Sequence, residues 1–141
     1  MYETFEHTAD LGLRVRAADL GTLFAEAARC LFSAVVEDLD DVKPVQSVEV
    51  TLEGDDLEYL LFDWLNELLY KCDAEHLLLS QFEVKVDSAQ SPRIAVRGLA
   101  RGEPLDRTRH RLSHEVKAIT YHGLMVEKSA DGWLAEVIVD I

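Results

Sequence analysis

The apolar residues in the first half of the chain follow two alternating spacings, which predict strands and helices in turn. Leu13, Val15 and Ala17 alternate with arginines, as in a half-buried strand, and Asp19 then lies where a helix N-cap is expected. From residue 20 to about residue 36, apolar residues recur every three or four positions. This spacing predicts an amphipathic helix directly after the strand.

A second strand and a second helix are predicted next. Val48, Val50 and Leu52 alternate with polar residues, and a turn follows them. Asp55 with Glu58 three positions later is typical of a capping box, in which the two side chains satisfy backbone N–H groups at a helix start. The second helix is therefore expected to begin directly after Asp55.

The second predicted helix has one continuous apolar face, which indicates packing on a sheet. This face is formed by Leu57, Leu60, Leu61, Trp64, Leu65, Leu68, Leu69 and Cys72. Tyr59, Phe62 and Tyr70 lie outside it. These rings could contact a partner, but additional packing within the domain is the preferred interpretation.

After the second helix the apolar spacing changes to every second position, which predicts a series of strands. The predicted strands lie at residues 82–86, 94–96, 114–122, 124–126 and 133–139. Residues 98–113 lack this spacing and are rich in arginine, so they are predicted to form a basic loop. Helices early and strands late predict an α+β fold in a single domain spanning residues 1–141. Its two main helices are expected to pack on one face of a largely antiparallel sheet.

The chain is acidic, with 14 Lys and Arg against 27 Asp and Glu and a formal net charge of −13. A phosphate backbone would meet like charge over most of such a surface, so direct, stable nucleic-acid binding is not expected. A basic protein surface or a divalent cation is a more natural partner, although high acidity also serves solubility alone.

The cysteines and the lack of a long apolar run indicate the compartment. Cys30 and Cys72 lie in apolar helical patterns with no Cys or His at a zinc-ligand spacing, and we expect both to be buried free thiols. No apolar run approaches the roughly 20 residues that span a membrane, and the N-terminus lacks a secretion-signal pattern. A cytoplasmic protein without a membrane partner is therefore expected.

Carboxylates occur near both ends of the chain, beside predicted strands. Asp10, in His7-Thr8-Ala9-Asp10, could bind a hard cation or cap the local turn, and capping is the commoner role. Asp140 follows an apolar run and lies beside Ile141. It either belongs to a solvated terminus or is one of two carboxyl groups compensated by a cation, and the residues alone favour neither interpretation.

After Asp10 and Asp140, the third candidate for a functional site is the run of titratable residues at 114–122. In extended geometry Glu115 and Lys117 share one face. His114 and His122 are too far apart along a strand to hold one ion together. Lys117 could pair with Glu115 or offer its charge to a phosphate or a partner's carboxylate, and spacing alone favours the pair.

Motifs of self-sufficient enzymes are missing from the sequence, which has no glycine-rich phosphate loop, no Gly-x-Ser-x-Gly elbow and no dinucleotide fingerprint. The chain is thus not expected to be an enzyme. One alternative is a small metal-dependent nucleotide hydrolase, in which Asp10 and Asp140 hold the ion and a histidine acts as base. A general chaperone or scaffold is a further alternative, suggested by the acidity and by the aromatic residues outside the helix face.

Four separated motifs, taken together and in order, resemble the archease family. They are His7-Thr8-Ala9-Asp10, Gly102-Glu103 with Asp106 and His110, Glu115-Val116-Lys117-Ala118-Ile119-Thr120-Tyr121, and Val137-Ile138-Val139-Asp140-Ile141. The likeness runs from end to end of the chain. It implies an α+β fold with a strand-helix-strand-strand core and a small inserted α/β segment.

The resemblance also implies a function. Members of the family are non-enzymatic activators of the RtcB-type RNA ligase, which joins exon halves during tRNA splicing and repairs RNA. They promote guanylylation of the ligase, support its multiple turnover and can broaden which nucleotide it accepts. A protein partner of this kind is therefore expected.

A metal site follows from the same resemblance. It assigns Asp10, Asp140 and the main-chain or terminal oxygen of Ile141 to a divalent cation, with His7 supporting the turn at Asp10. Oxygen ligands suit a hard cation, and the flexible geometry of a terminal ligand favours Ca²⁺.

An activating residue is implied as well. Lys117 matches the essential basic residue of the family's activating surface, with Glu115 in support. The resemblance gives His122 no role, and the roles of Asp106 and His110 stay open.

Overall fold

A computed structural model of the chain describes residues 1–7 and 10–141, without the side chain of His7. The described residues form two α-helices, a short 3-10 helix at Leu39–Asp41 and eight strands. In chain order these are β1 (Tyr2–His7), β2 (Asp10–Ala17), α1 (Leu20–Val35), β3 (Gln46–Gly54), α2 (Leu57–Glu75), β4 (Leu77–Asp87), β5 (Ile94–Pro104), β6 (Ala118–Ile119), β7 (Met125–Ser129) and β8 (Gly132–Asp140).

The strands pair into two antiparallel sheets. The first has the order β1-β2-β8-β6, with β7 also paired to β8, and the second has the order β3-β5-β4. The second sheet and α2 are inserted between α1 and β6. The α+β class and the inserted segment are confirmed. The expectation of a single sheet is wrong. An alternating apolar spacing identifies strands, but it does not show which strands pair.

The two helices lie between the sheets, since each contacts strands of both. The Trp64 indole N–H of α2 donates to the carbonyl oxygen of Phe24 in α1 at 2.9 Å. Phe82 of β4 packs edge-on to the Trp64 ring at 6.4 Å and stacks with Phe32 of α1 at 5.9 Å, measured between ring centroids. The helices therefore bury the inner faces of both sheets instead of covering one face of one sheet.

The predicted basic loop at residues 98–113 is partly a strand, because β5 continues to Pro104. The Trp64 ring fills the space that a Cβ at Gly98 would need, and the main chain of Leu78 fills it at Gly102. These close contacts require glycine, which carries no side chain and so hides the alternating pattern of a strand.

Both helices begin at an aspartate, but the second one is not the predicted residue. The side chain of Asp19 accepts from the Thr22 N–H at 2.8 Å, as expected. At α2 the cap is Asp56 instead of Asp55, and it accepts from the Glu58 N–H at 2.9 Å. The Glu58 carboxylate accepts from the Val126 N–H at 3.1 Å, which ties α2 to β7, so the predicted capping box is wrong.

The cysteines are both free, and burial raises the pKa of Cys30 to about 12 and that of Cys72 to about 11. Cys30 is buried as predicted, whereas Cys72 is only half-buried. Both thiols are therefore protonated at neutral pH. Within the described part of the chain, neither helix combines the length and apolarity needed to cross a membrane.

The assignment of the α2 cap gives a direct test. Replacing Asp56 by Ala removes the acceptor for the first free N–H groups of α2 and should lower the free energy of unfolding by about 1 kcal/mol. The neighbouring change Asp55→Ala should alter it by no more than about 0.5 kcal/mol. Urea unfolding of both variants measures the difference, and an equal loss in the two would contradict this cap.

Candidate functional site

Strand β8 brings the two ends of the chain together. Asp140 near its end is the direct cross-strand partner of Asp10 in β2 and, on its other side, of Ala118 in β6. The Lys117 N–H donates to the Asp140 carbonyl oxygen at 2.8 Å. The predicted proximity of Asp10 and Asp140 is confirmed. The predicted supporting role of His7 falls on a side chain outside the described residues.

A cleft of about 940 Å³ opens at this end of the first sheet. It is lined by Thr4, Phe5, Glu6, Asp10, Leu11, Ser113, His114, Glu115, Lys117 and Ile141. We call it the terminal cleft. Acidic groups and one lysine thus face the same space, with Asp140 in the adjoining strand. Among residues 1–7 and 10–141, no three His, Cys, Asp or Glu side chains are grouped closely enough to hold a metal ion.

The segment before Lys117 is held by the end of α1. The N–H groups of Ser113 and His114 donate to the carbonyl oxygens of Val35 and Ala34 at 2.8 and 2.9 Å. Carbonyls in the last turn of a helix have no partner within the helix, so this segment caps α1. The same N–H groups are then not available to a neighbouring strand. The predicted strand at 114–122 is reduced to the two residues of β6, and of that range the N–H of His114 is used by α1.

Lys117 lies exposed at the edge of the terminal cleft, next to the buried Val116. Glu115 is also exposed. In the described part of the chain, Lys117 forms no ion pair with Glu115 or with any other carboxylate. The pairing that spacing favoured is therefore wrong, and the ammonium group of Lys117 is available to a ligand.

The nearest arginine on the outer face of β2 already forms ion pairs with two other carboxylates. Arg14 donates to Glu136 at 2.6 Å and to Glu3 at 3.1 Å, and these two hydrogen bonds raise the pKa of its guanidinium. Its charge is shared between two carboxylates of the neighbouring strands. Arg14 is consequently a poor source of compensation for Asp10 and Asp140.

A second polar cluster fixes the loop between β5 and β6. Glu103 and His110 are only 8% and 4% exposed. Burial alone would raise the pKa of Glu103, but the guanidinium of Arg109, the Lys43 N–H at 2.7 Å and the His110 ring at 3.1 Å outweigh burial and lower it to about 2. Nδ1 of His110 accepts from the Asp106 N–H at 3.0 Å, so Nε2 carries the proton that faces Glu103.

This cluster was only partly anticipated. The resemblance groups Glu103, Asp106 and His110 without a role, and Arg109 lies in the predicted basic loop at residues 98–113. In the structure Arg109 is bound by Glu103 and, at 3.6 Å, by Asp41. The sequence signal that could have revealed this cluster was a single glutamate, Glu103, in the arginine-rich segment 98–113, followed by His110. The cluster anchors the loop that leads to Lys117.

Known proteins match this chain over nearly its whole length, both in sequence and in structure. The model of the Archease protein family (MTH1598/TM1083) matches residues 2–141. The chain is 45% identical over 140 residues to protein archease of Methanopyrus kandleri, covering 99% of both. It is 40% identical over 141 residues to protein archease of Pyrococcus furiosus, covering 99% of this chain and 98% of the relative. The solution structure of Methanobacterium thermoautotrophicum protein 1598 superposes with a TM-score of 0.84 at 32% identity, covering 99% of this chain and 98% of the other.

The cluster around Glu103 predicts a pH-dependent stability. Glu103→Gln leaves Arg109 without its buried partner and should lower the free energy of unfolding at pH 7 by roughly 2–3 kcal/mol. Because the pKa of Glu103 is lowered from 4.5 to about 2 by folding, its contribution is complete above pH 4.5 and is lost as the pH falls towards 2.

Urea unfolding at a series of pH values from 7 to 3 tests this expectation. The difference between wild type and Glu103→Gln should be constant near neutrality and shrink below pH 4.5. Glu83→Gln is the matched control, since Glu83 is 72% exposed in its pair with Arg101 and should contribute at most about 0.5 kcal/mol. A difference that is equally large at pH 3 and pH 7 would contradict the assignment.

Proposed function

The chain belongs to the archease family, and from this premise we propose that it is a non-enzymatic activator of an RtcB-type RNA ligase. In this role it promotes guanylylation of the ligase, supports its multiple turnover and broadens the nucleotides that the ligase accepts. It carries out no reaction of its own. It acts by placing charged groups beside the reacting groups of the ligase, in the cytoplasm.

The observation that supports this role most directly is the arrangement around Asp140. Asp10 is its cross-strand partner, and the segment that carries Lys117 is hydrogen-bonded to its main chain. Asp10, Lys117 and Ile141 all line the terminal cleft. Carboxylates and a cation thus converge on one open space, which a partner's nucleotide pocket could cover.

The residues fit a hard divalent cation, and Ca²⁺ is the ion we propose. Side chains of directly opposed cross-strand residues lie on the same face of a sheet about 5 Å apart, which suits Asp10 and Asp140 as joint ligands. Ile141 adds a main-chain or terminal oxygen. Ca²⁺ takes six to eight oxygen ligands. When bound, the ion would supply positive charge for phosphate oxygens at the positions that this chain leaves open.

Lys117 would contribute a second positive charge. Its ammonium group is a compact point charge on a flexible stem, which suits a phosphate or a partner's carboxylate. The backbone at this position is held by the buried side chain of Val116 and by the hydrogen bond from the Lys117 N–H to the Asp140 carbonyl oxygen. The side chain is therefore presented from a fixed position, and Glu115 beside it supports the segment.

Guanylylation of the ligase tests the proposal. Wild-type protein mixed with an RtcB-type ligase, Mn²⁺ or Mg²⁺ and GTP should raise the rate of guanylylation and the number of turnovers. Lys117→Ala, Asp10→Asn and Asp140→Asn should each reduce this stimulation at least tenfold, because each removes one of the converging charges. Lys85→Ala is the matched control, since Lys85 is exposed on the second sheet.

Two outcomes would contradict the proposal. Unchanged guanylylation and turnover with wild-type protein would exclude the activator. Release of phosphate from GTP by the purified protein alone, lost on chelation, would favour a metal-dependent hydrolase instead. Full activity of all three variants would leave the activator in place and reject this site.

Thermal unfolding tests the metal site without any ligase. Ca²⁺ at a hundred times its Kd should stabilise the wild type by about 2.7 kcal/mol and should leave Asp140→Asn nearly unaffected. In chelator, Asp140→Asn should be at least as stable as the wild type, because like charges no longer face each other across the strands. Equal stabilisation of both proteins by Ca²⁺ would exclude Asp140 as a ligand.

A further inference from the structure

The outer side of α2 carries two exposed tyrosines, and a third lies close to it. Tyr59 and Tyr70 are 57% and 60% exposed, and Tyr121, from the turn after β6, is 56% exposed. Asp63 and Asp73 are exposed on the same side of the helix, since positions 59, 63, 70 and 73 share one face at 3.6 residues per turn. We call these five residues the tyrosine face.

Part of the face is fixed by ring packing before any partner arrives. The Tyr121 ring stacks on Phe62 with 4.0 Å between ring centroids and meets Tyr59 edge-on at 5.5 Å. Packing within the domain was the preferred interpretation for Tyr59, Phe62 and Tyr70. It is confirmed for Phe62 but wrong for Tyr70, which is 60% exposed and makes no ring contact within the described residues. Tyr59 and Tyr121 nevertheless remain more than half exposed. Rings held in place in this way lose little entropy when a partner covers them.

The charge of the face is negative. Among the described residues, neither Asp63 nor Asp73 forms an ion pair, and the nearest lysine of the helix, Lys71, is paired with Glu75 at 3.2 Å. Guanidinium and ammonium groups are attracted both to carboxylates and to the faces of tyrosine rings. Nucleic-acid bases also stack on tyrosine, but carboxylates beside the rings would repel the phosphates.

We propose that the tyrosine face docks a surface of a partner protein that is rich in arginine and lysine. The identification of that partner as the RNA ligase rests on the proposed function. Tyr59 and Tyr70 are separated by about 16 Å along the helix, and Tyr121 lies four residues after Lys117, within about 14 Å of it along the chain. A standard interface of about 800 Å² per partner is roughly 30 Å across. One partner can therefore cover the face and reach Lys117.

The first experiment needs no ligase. An arginine-rich peptide added to the full chain should shift the ring resonances of Tyr59, Tyr70 and Tyr121 in NMR spectra, and the shifts should vanish at high salt. A variant with Tyr70→Ala, Asp63→Asn and Asp73→Asn should bind the peptide at least tenfold more weakly. Peptide binding that leaves the three tyrosines unshifted would overturn the proposal, and so would single-stranded RNA that binds the face as tightly as the peptide.

The second experiment measures binding of the same proteins to the ligase. The triple variant should bind at least tenfold more weakly than the wild type, with a smaller dependence on salt, and should need correspondingly more protein for half-maximal guanylylation. A variant with Glu49→Gln and Asp131→Asn loses two exposed charges elsewhere and should bind as the wild type does.

The two proposals fail in different ways. Loss of stimulation by the wild type would reject the activator role, whereas a triple variant that binds the ligase within twofold of the wild type would reject only the docking face. Unfolding midpoints should be unchanged in the triple variant, because Tyr70, Asp63 and Asp73 are exposed and make no ring contact or ion pair within the described residues. A lowered midpoint would overturn the assignment of these side chains to a surface with no packing role.

Discussion

The backbone pairing of β8 is the constraint on which the rest of the first sheet depends. This strand hydrogen-bonds with β2 on one edge and with β6 and β7 on the other. Ala135, Val137 and Val139 are fully buried at every second position of the strand, and this spacing selects one register. A slip by one residue would turn Asp140 into the core and Val139 to the outside. The meeting of Asp10 with Asp140 is therefore a consequence of apolar burial further along the same strand.

The position of Lys117 depends on the loop between β5 and β6. At one end of the loop, the N–H groups of Ser113 and His114 satisfy two of the last carbonyls of α1. At the other end of the loop, Glu103 binds Arg109 and His110 in a nearly dry setting. A buried carboxylate without such partners would carry a large desolvation cost. The loop is therefore tied at both ends, and Lys117 is presented by a segment with little freedom although it has no regular structure.

The parts of the fold that could be predicted are those with a strong and uninterrupted period. Both helices and the strand before α1 lie where they were expected, with bounds that differ by at most about three residues, and Asp19 caps α1 as expected. The pairing of strands could not be predicted, since Gly98 and Gly102 hide a strand whose spacing is set by Trp64 and by the neighbouring main chain. At the candidate site the resemblance selected the residues. Spacing alone favoured a pair of Lys117 with Glu115 that the folded chain does not form.

The two surfaces proposed here have opposite electrostatic character, and this difference bears on how a partner is oriented. In the proposed function, the terminal cleft offers Lys117 and the cation proposed at Asp10, which together would suit phosphate or carboxylate groups. The tyrosine face offers Asp63 and Asp73 among exposed rings, so it suits guanidinium and ammonium groups. A partner that carries anionic groups at its reaction centre and cations nearby would be attracted in one orientation and repelled when turned around. In a chain with a net charge of −13, orientation then depends on where the charged groups lie more than on total charge.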